Sequence, residues 1–586
     1  MKKKMITLLL ATTITLNLVT GCSTVSETQA ECITECPAMP GAEDYEVDYN
    51  ESAVSAYTES VPAASEENYA SDYSDSAPCA EEYETPVTAV NSACEEAYYE
   101  DAYAEDLYED YYDNDCYSYS ENGENYTELA ENNFISVKTS PYSTFAADVD
   151  TASYSNFRRM VNDGYGIYDI PKGSIRAEEM INYFDYNYSN PQNNNTFGVC
   201  SAITDCPWNK KSKLVTIGVK ARDYSEAVKT PSNIVFLIDV SGSMDSYDKL
   251  DLLKEGFEML VDNLDSNDRV SIVTYASSSE IALDGVAGDN HTKLKRAMNK
   301  LSAGGSTNGG DGIVSAYRLA QKHFIKGGNN RVIMATDGDL NVGITNQSEL
   351  EKLINDKKEG GVYLSVLGFG TGNYNESNLE TLADKGNGNY SYIDSLAEAK
   401  KVLVDEFNST LLTVAKDTKM QIEFNPLYVS SYRQIGYENR SLATEDFLDD
   451  KKDGGEVGYG HTVTVMYEVF LNDDATGEDV PDSRYQNTVL SDKARESGEW
   501  MTLSIRYKNP DNDKVSQENF PISKNCYVKN PSNETQFAIA VAELSMLLND
   551  SYYSDNIDIN DIKHQLSKIK TNDPYKAEFI ELVNEL

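Results

Sequence analysis

The chain has 586 residues, with 97 Asp and Glu against 49 Lys and Arg, a formal net charge of −48 and 40% hydrophobic residues. That length carries more than one domain. The acidic surplus, with no basic patch interleaved with aromatics, excludes the positively charged surface on which nucleic-acid binding depends.

Residues 1–22 read as a targeting segment. Lys2, Lys3 and Lys4 form a basic start, and an apolar core of about 15 residues follows. That core is too short and wrongly flanked for a membrane-spanning helix. It ends in Leu18-Val19-Thr20-Gly21-Cys22, which resembles a bacterial lipoprotein signal. The resemblance implies cleavage before Cys22, acylation of its thiol, and a cell-membrane anchor on the extracytoplasmic face. Several acyl chains on one residue hold stably where a single chain does not. Ser23 follows, so the Asp associated with inner-membrane retention is absent there. An ordinary secretory signal with an incidental Cys is the alternative.

Residues 23–133 contain no Lys or Arg and 30 Asp and Glu, with Tyr, Ser, Ala and Glu dominant. Such a composition buries too little apolar surface to offset the entropy of ordering. We expect a disordered tether. Its 111 residues would span roughly 60 Å as a flexible coil, and like-charge repulsion would extend it. An acidic, aromatic binding segment is the other reading. Five of the nine cysteines (Cys32, Cys36, Cys79, Cys94 and Cys116) fall here, and Cys200, Cys206 and Cys526 fall beyond it. An exported chain permits disulfides, but spacing does not fix their pairing.

Residues 134–229 are expected to form an α+β N-terminal region. Helical spacing covers 152–161 and 175–186, and alternation marks a strand over 213–220. The runs Phe134-Ile-Ser-Val-Lys, Ile175-Arg-Ala-Glu-Glu-Met-Ile-Asn-Tyr-Phe and Cys206-Pro-Trp-Asn resemble the region preceding the A domain in a family of bacterial A-domain lipoproteins. Asp148 and Asp150 are oxygen donors in principle, with a capping or solvated role expected.

Residues 230–410 alternate apolar strands with helical patterns, which argues a doubly wound α/β sheet covered on both faces. Strands are expected over 233–240, 269–275, 281–286, 331–336, 362–369 and 390–393. Helices are expected over 249–264, 291–301, 309–324, 348–356, near 378–384 and up to 407. The run Ile234-Val-Phe-Leu-Ile238 is wholly apolar and stops at Asp239-Val-Ser241-Gly-Ser243. A strand buried on both faces reads this way, and open α/β sheets bind ligands at strand carboxyl ends. The D-x-S-x-S spacing alone is weak, since Asp72, Ser74 and Ser76 repeat it in the tether with no strand before them. Two further stretches supply the context: Gly304-Gly-Ser-Thr307-Asn-Gly-Gly opens a helical pattern, and a second apolar run ends at Asp337. Their oxygens are hard ligands of the kind Mg²⁺ prefers.

The three segments resemble the metal-ion-dependent adhesion site, the MIDAS, of a von Willebrand factor type A (VWA) domain, whose fold is a Rossmann-like doubly wound sheet. The resemblance implies that Ser241, Ser243 and Thr307 supply hydroxyl ligands. Asp239 and Asp337 then bind the metal directly or through waters, and one position stays open for a partner's carboxylate. It also implies that the strands ending at Val240 and Thr336 are neighbours. Asp245, Asp311 and Asp339 lie near this site in sequence and serve equally well as solvated loop carboxylates, Asp339 with a possible outer role.

Residues 411–586 turn to strands (420–424, 429–435, 462–470 and 500–507) and then helices (536–548, 562–569 and 575–586). We expect a β-rich C-terminal domain with terminal helices. The helix over 536–548 is expected to be amphipathic, with Phe537, Ala540, Leu544 and Leu547 as its core stripe. Gln421-Ile-Glu-Phe-Asn-Pro and Gly458-Tyr-Gly-His-Thr-Val-Thr resemble the C-terminal region of the same lipoproteins.

Together these readings imply a surface-anchored lipoprotein that binds a protein partner's Asp or Glu carboxylate through Mg²⁺, or Mn²⁺ or Ca²⁺. The alternative is a structural envelope module in which the metal only stabilises and the tether or C-terminal domain binds. An enzyme is not expected. The four His (His291, His323, His461 and His564) are scattered, with no H-E-x-x-H, zinc spacing or G-x-S-x-G elbow.

Overall fold

In the computed structural model the described residues are 117–119, 125–127, 130–147, 150–223, 230–306, 310–338, 347–371, 376–406, 412–452, 454–472, 490–510 and 512–586. Cys22, the signal segment, most of the expected tether, Asp148, Thr307 and Asp339 lie outside them.

The apolar run that ends at Asp239 is the central strand Ser232–Asp239, buried along its whole length. Successive side chains point to opposite faces of a sheet, so a wholly apolar strand needs cover on both. Ile234, Phe236 and Ile238 join one core with Leu253, Phe257 and Leu260 of the helix Leu252–Val261. Val235 and Leu237 join another with Ile313, Ala316 and Tyr317 of the helix Gly310–Lys322. Among the described residues the sheet has six strands. Ser232–Asp239 pairs in parallel with Arg269–Tyr275 on one side and Asn329–Thr336 on the other. Tyr363–Phe369 and Tyr390–Ile393 extend it in parallel. Ser279–Ala287 closes the opposite edge antiparallel. This is the Rossmann-like VWA fold with a mixed sheet. The strand order reverses beside Ser232–Asp239, and the expected neighbour relation holds: Ile238 lies opposite Ala335.

The flanking regions, read from sequence as two separate domains, form one body. Their strands interleave in two antiparallel sheets. In one, Tyr142–Ala146 from the N-terminal flank pairs with Thr413–Phe424, which continues through Glu499–Lys508 to Val515–Ser523. In the other, Val429–Ile435, Thr462–Leu471, Lys213–Ala221 and Phe197–Asp205 pair in that order. Phe145, Ile217, Val219, Ile422, Val465, Tyr467 and Leu503 fill the space between the sheets. Alternation in the strand Thr462–Leu471 marks the face correctly. Val463, Val465, Tyr467 and Val469 face that core, and Met466 faces a helical layer that shares its core with one side of the VWA sheet. The VWA domain is therefore an insertion in a domain assembled from both flanks.

Further differences are found, and the first two have clear physical causes. Residues 130–133, assigned to the tether by composition, meet the folded body. Glu131 accepts from Arg433 at 3.3 Å, and the Asn132 amide donates to the Gly436 carbonyl at 2.8 Å. Just before them Tyr117–Tyr119 pairs with Asn125–Thr127, and Tyr126 is buried in the shared core. Local composition did not register contacts made 300 residues away. The helix Asn533–Leu548 is buried on nearly all sides rather than along one stripe, because other helices cover the face that a two-layer arrangement would leave wet. The helix expected over 175–186 is only Ala177–Asn182. Asp150, expected in a capping or solvated role, is instead buried and bridges distant elements, accepting from the Tyr390 backbone N–H at 2.9 Å and from Arg440 at 2.8 Å.

Three arginines from the flanks join the VWA domain to this body. Arg158 contacts Asp394 and Glu398, Arg176 contacts Glu380 at 2.8 Å, and Arg440 contacts Glu380 at 3.0 Å and Asp384 at 2.7 Å. Among the described residues no helix is long and apolar enough to cross a membrane.

Candidate metal centre

The site lies at the carboxyl end of the central strand, where the sheet's strand order reverses. Asp239 is its last residue and is fully buried. The chain then turns sharply, and Asp239 stabilises the turn by accepting the Ser241 backbone N–H on Oδ1 at 2.8 Å. The turn Gly242–Met244 brings Ser243 round, so that the hydroxyls of Ser241 and Ser243 lie 2.9 Å apart. Ser241 is buried and Ser243 exposed, which gives the pair an inner and an outer oxygen.

Asp337 follows the neighbouring strand Asn329–Thr336, one residue beyond the position opposite Asp239, and is 5% exposed. Its Oδ2 accepts from the Lys249 ammonium at 3.1 Å. Asp239 Oδ2 and Asp337 Oδ1 are buried and have no hydrogen-bond partner among the described residues. Leaving such atoms unpaired is costly, so native proteins rarely do so without a reason. Burial pushes the Asp239 carboxyl up to about 6 against the hydrogen bonds from Ser241, and the nearby Asp337 charge adds to the rise.

The glycine-rich loop is tied to this turn. Gly242 N–H donates to the Gly305 carbonyl at 3.0 Å, and Gly304 N–H donates to the Val240 carbonyl at 2.8 Å. Gly305 adopts φ +90°, and a Cβ there would stand 2.7 Å from Ser277 Oγ, so this position requires glycine. The described part of the loop ends at Ser306, whose N–H donates to Ser277 Oγ at 3.0 Å. Thr307 follows directly, outside the described residues.

The structure thus brings Asp239, Ser241, Ser243 and Asp337 to one end of the sheet. Asp245 is exposed beside them, and the side chains of Asp311 and Asp339 are outside the described set. Two residues were missed by sequence reasoning. Tyr275 ends the strand Arg269–Tyr275 directly opposite Asp239. Burial, with the Asp239 charge next, holds its phenol well above the usual range. The available signal was its place at the end of an apolar strand. Lys249 was read only as the start of a helix, and its spacing six residues after Ser243 was the signal.

These residues fit a divalent cation. The donor set is all oxygen, two of its carboxylate oxygens are buried without partners among the described residues, and hydroxyls stand beside them. Hard ions such as Mg²⁺ and Ca²⁺ take this set, whereas softer metals favour thiolate or imidazole.

Residues 233–406 match the family model described as "von Willebrand factor type A domain". Residues 409–586 match "Uncharacterized protein YfbK, C-terminal", and residues 120–216 match "von Willebrand factor". The chain is 41% identical over 471 residues to the Escherichia coli (strain K12) protein named "Uncharacterized protein YfbK", covering 78% of this chain and 80% of that one. It is 27% identical over 197 residues to "Uncharacterized protein sll0103" of Synechocystis sp., covering 33% of this chain and 44% of that protein. A solved von Willebrand factor type A structure from Catenulispora acidiphila aligns over 67% of this chain and 91% of its own, at 14% identity and a TM-score of 0.38.

Proposed function

The chain belongs to the YfbK family of von Willebrand factor type A domain proteins, and from that premise we propose that it is a lipid-anchored envelope protein that captures a protein partner through a divalent cation. VWA domains generally mediate protein–protein contacts, and here the partner's Asp or Glu carboxylate completes the coordination of Mg²⁺, with Mn²⁺ or Ca²⁺ as substitutes. The observation that carries the reading is the pair of buried oxygens on Asp239 and Asp337 with no hydrogen-bond partner among the described residues, at the carboxyl ends of neighbouring strands beside the paired hydroxyls of Ser241 and Ser243. Hydroxyl ligands are neutral, so only the Asp239 and Asp337 carboxylates offset the charge of the cation, and its open position takes an anion. Ser241, Ser243 and Thr307 supply hydroxyls in this reading, while Asp239 and Asp337 hold the ion and orient them.

Acylated Cys22 anchors the chain to the membrane, and the acidic segment lets the VWA domain stand off from the surface. Cys22→Ser is expected to move the protein from the membrane pellet to the soluble fraction after cell breakage. Retention in the pellet would remove the lipid anchor from the account.

The binding test uses the full chain, solubilised in detergent and incubated with envelope extract in Mg²⁺ or in EDTA. A partner captured in Mg²⁺, lost in EDTA, and lost again when its own carboxylates are amidated supports the reading. A partner held equally in EDTA moves binding to another surface and leaves the cation a stabilising role.

A further inference from the structure

The site contains a fixed positive charge that its oxygen donors do not require. Lys249 lies in the turn Tyr247–Asp251 that leads into the helix Leu252–Val261. Its ammonium donates to Asp337 Oδ2 at 3.1 Å and to the Ser243 carbonyl at 3.0 Å. The side chain is only 14% exposed. Its methylene stem lies across Gly370, where a Cβ would fall 2.1 Å from Lys249 Cε, at a backbone φ of +71°. Glycine there leaves the slot through which the lysine reaches the site. The contact is therefore a built one: a buried stem, a backbone acceptor and a carboxylate fix the ammonium beside Asp337.

We propose that Lys249 is a tethered counter-cation that sets how tightly the site holds a divalent ion and what charge it presents afterwards. The inference rests on the reading of Asp239 and Asp337 as a divalent-cation site. Two carboxylates alone would neutralise a divalent ion and leave the loaded site uncharged. With Lys249 present, the ion, the two carboxylates and the ammonium sum to one positive charge, which favours an anionic ligand. The ammonium also repels the incoming metal and competes with it for Asp337. The site consequently gives up some metal affinity for a stronger pull on a carboxylate.

The test is a calorimetric titration of the full chain with Mn²⁺. Lys249→Met keeps an apolar stem across Gly370 and removes the charge, and Lys249→Arg keeps the charge. Lys249→Met is expected to bind Mn²⁺ at least tenfold more tightly than the wild type, with Lys249→Arg within threefold of it. Circular dichroism reports that each variant is folded. If the wild type binds saturably and folded Lys249→Met binds no more tightly, the proposal is overturned and the cation site stands. If none of the three folded proteins binds Mn²⁺ saturably, the cation reading fails, and the role of Lys249 with it.

Discussion

Asp239→Asn is expected to lower divalent-cation affinity at least a hundredfold while leaving the fold intact. Asn keeps an oxygen that can accept the Ser241 backbone N–H, which Asp239 Oδ1 now accepts at 2.8 Å, so the turn after the central strand survives. What goes is a full negative charge at a fully buried position. At an effective dielectric near 20, unit charges 4 Å apart interact by about 4 kcal/mol, and a divalent ion doubles that. A hundredfold is about 2.8 kcal/mol, so the expectation allows for water replacing part of the lost interaction. Mn²⁺ titration of wild type and variant, each checked by circular dichroism, reads the result. Affinity within threefold of the wild type would place the cation elsewhere.

Arg158→Met is expected to destabilise the protein by about 3–5 kcal/mol, the usual cost of stranding buried partner charges. Arg158 sits in the helix Ala152–Asn162 with its side chain 3% exposed. It donates through Nε to Asp394 at 2.7 Å, and further to Glu398 at 2.8 Å and Glu578 at 3.0 Å. The Asp394 and Glu398 side chains are 6% and 1% exposed. Without the guanidinium both remain buried, adjacent and like-charged. Burial already raises the Asp394 carboxyl even with its Arg158 partner in place. The loss of that partner raises it further, so the folded variant takes up protons that its unfolded chain releases. Its stability therefore recovers as the pH falls. Urea unfolding at pH 7 and pH 5 measures this, with a smaller deficit expected at pH 5. A deficit under 1 kcal/mol at pH 7 would mean that these ion pairs do not hold the VWA domain to its neighbour.

The sequence made the VWA domain legible because its signals are local. The run Ile234–Ile238 is apolar at every position, as a strand covered on both faces requires, and it is too short, and too sharply bounded by Asp239, for a buried helix. The abrupt change at Asp239 marks where such a strand ends, and the second apolar run ending at Asp337 supplies its neighbour. Pairing between the flanks was not legible. Alternation in the strand Thr462–Leu471 gives the face of each side chain and says nothing about which strand lies alongside. Its partner Lys213–Ala221 lies about 250 residues away, and the short strand Tyr142–Ala146, which pairs with Thr413–Phe424, carries too few residues to show a period.

The site divides along the same line. The D-x-S-x-S turn is contiguous and was readable. Lys249 and Tyr275 act in the site through a side chain's reach and a neighbouring strand's register, so neither forms a pattern with Asp239. The helix Asn533–Leu548 shows the same limit in the core: its stripe was visible, but the cover over its other faces comes from distant elements.

The most direct test is diffraction from crystals of the protein grown in Mn²⁺, with data recorded to reveal the anomalous scattering of manganese. One strong peak is expected at the carboxyl end of the central strand, contacting the hydroxyls of Ser241 and Ser243 and lying within direct or water-bridged reach of Asp239 Oδ2 and Asp337 Oδ1. Crystals that diffract well and show no peak there, or show it bound elsewhere, would contradict that expectation.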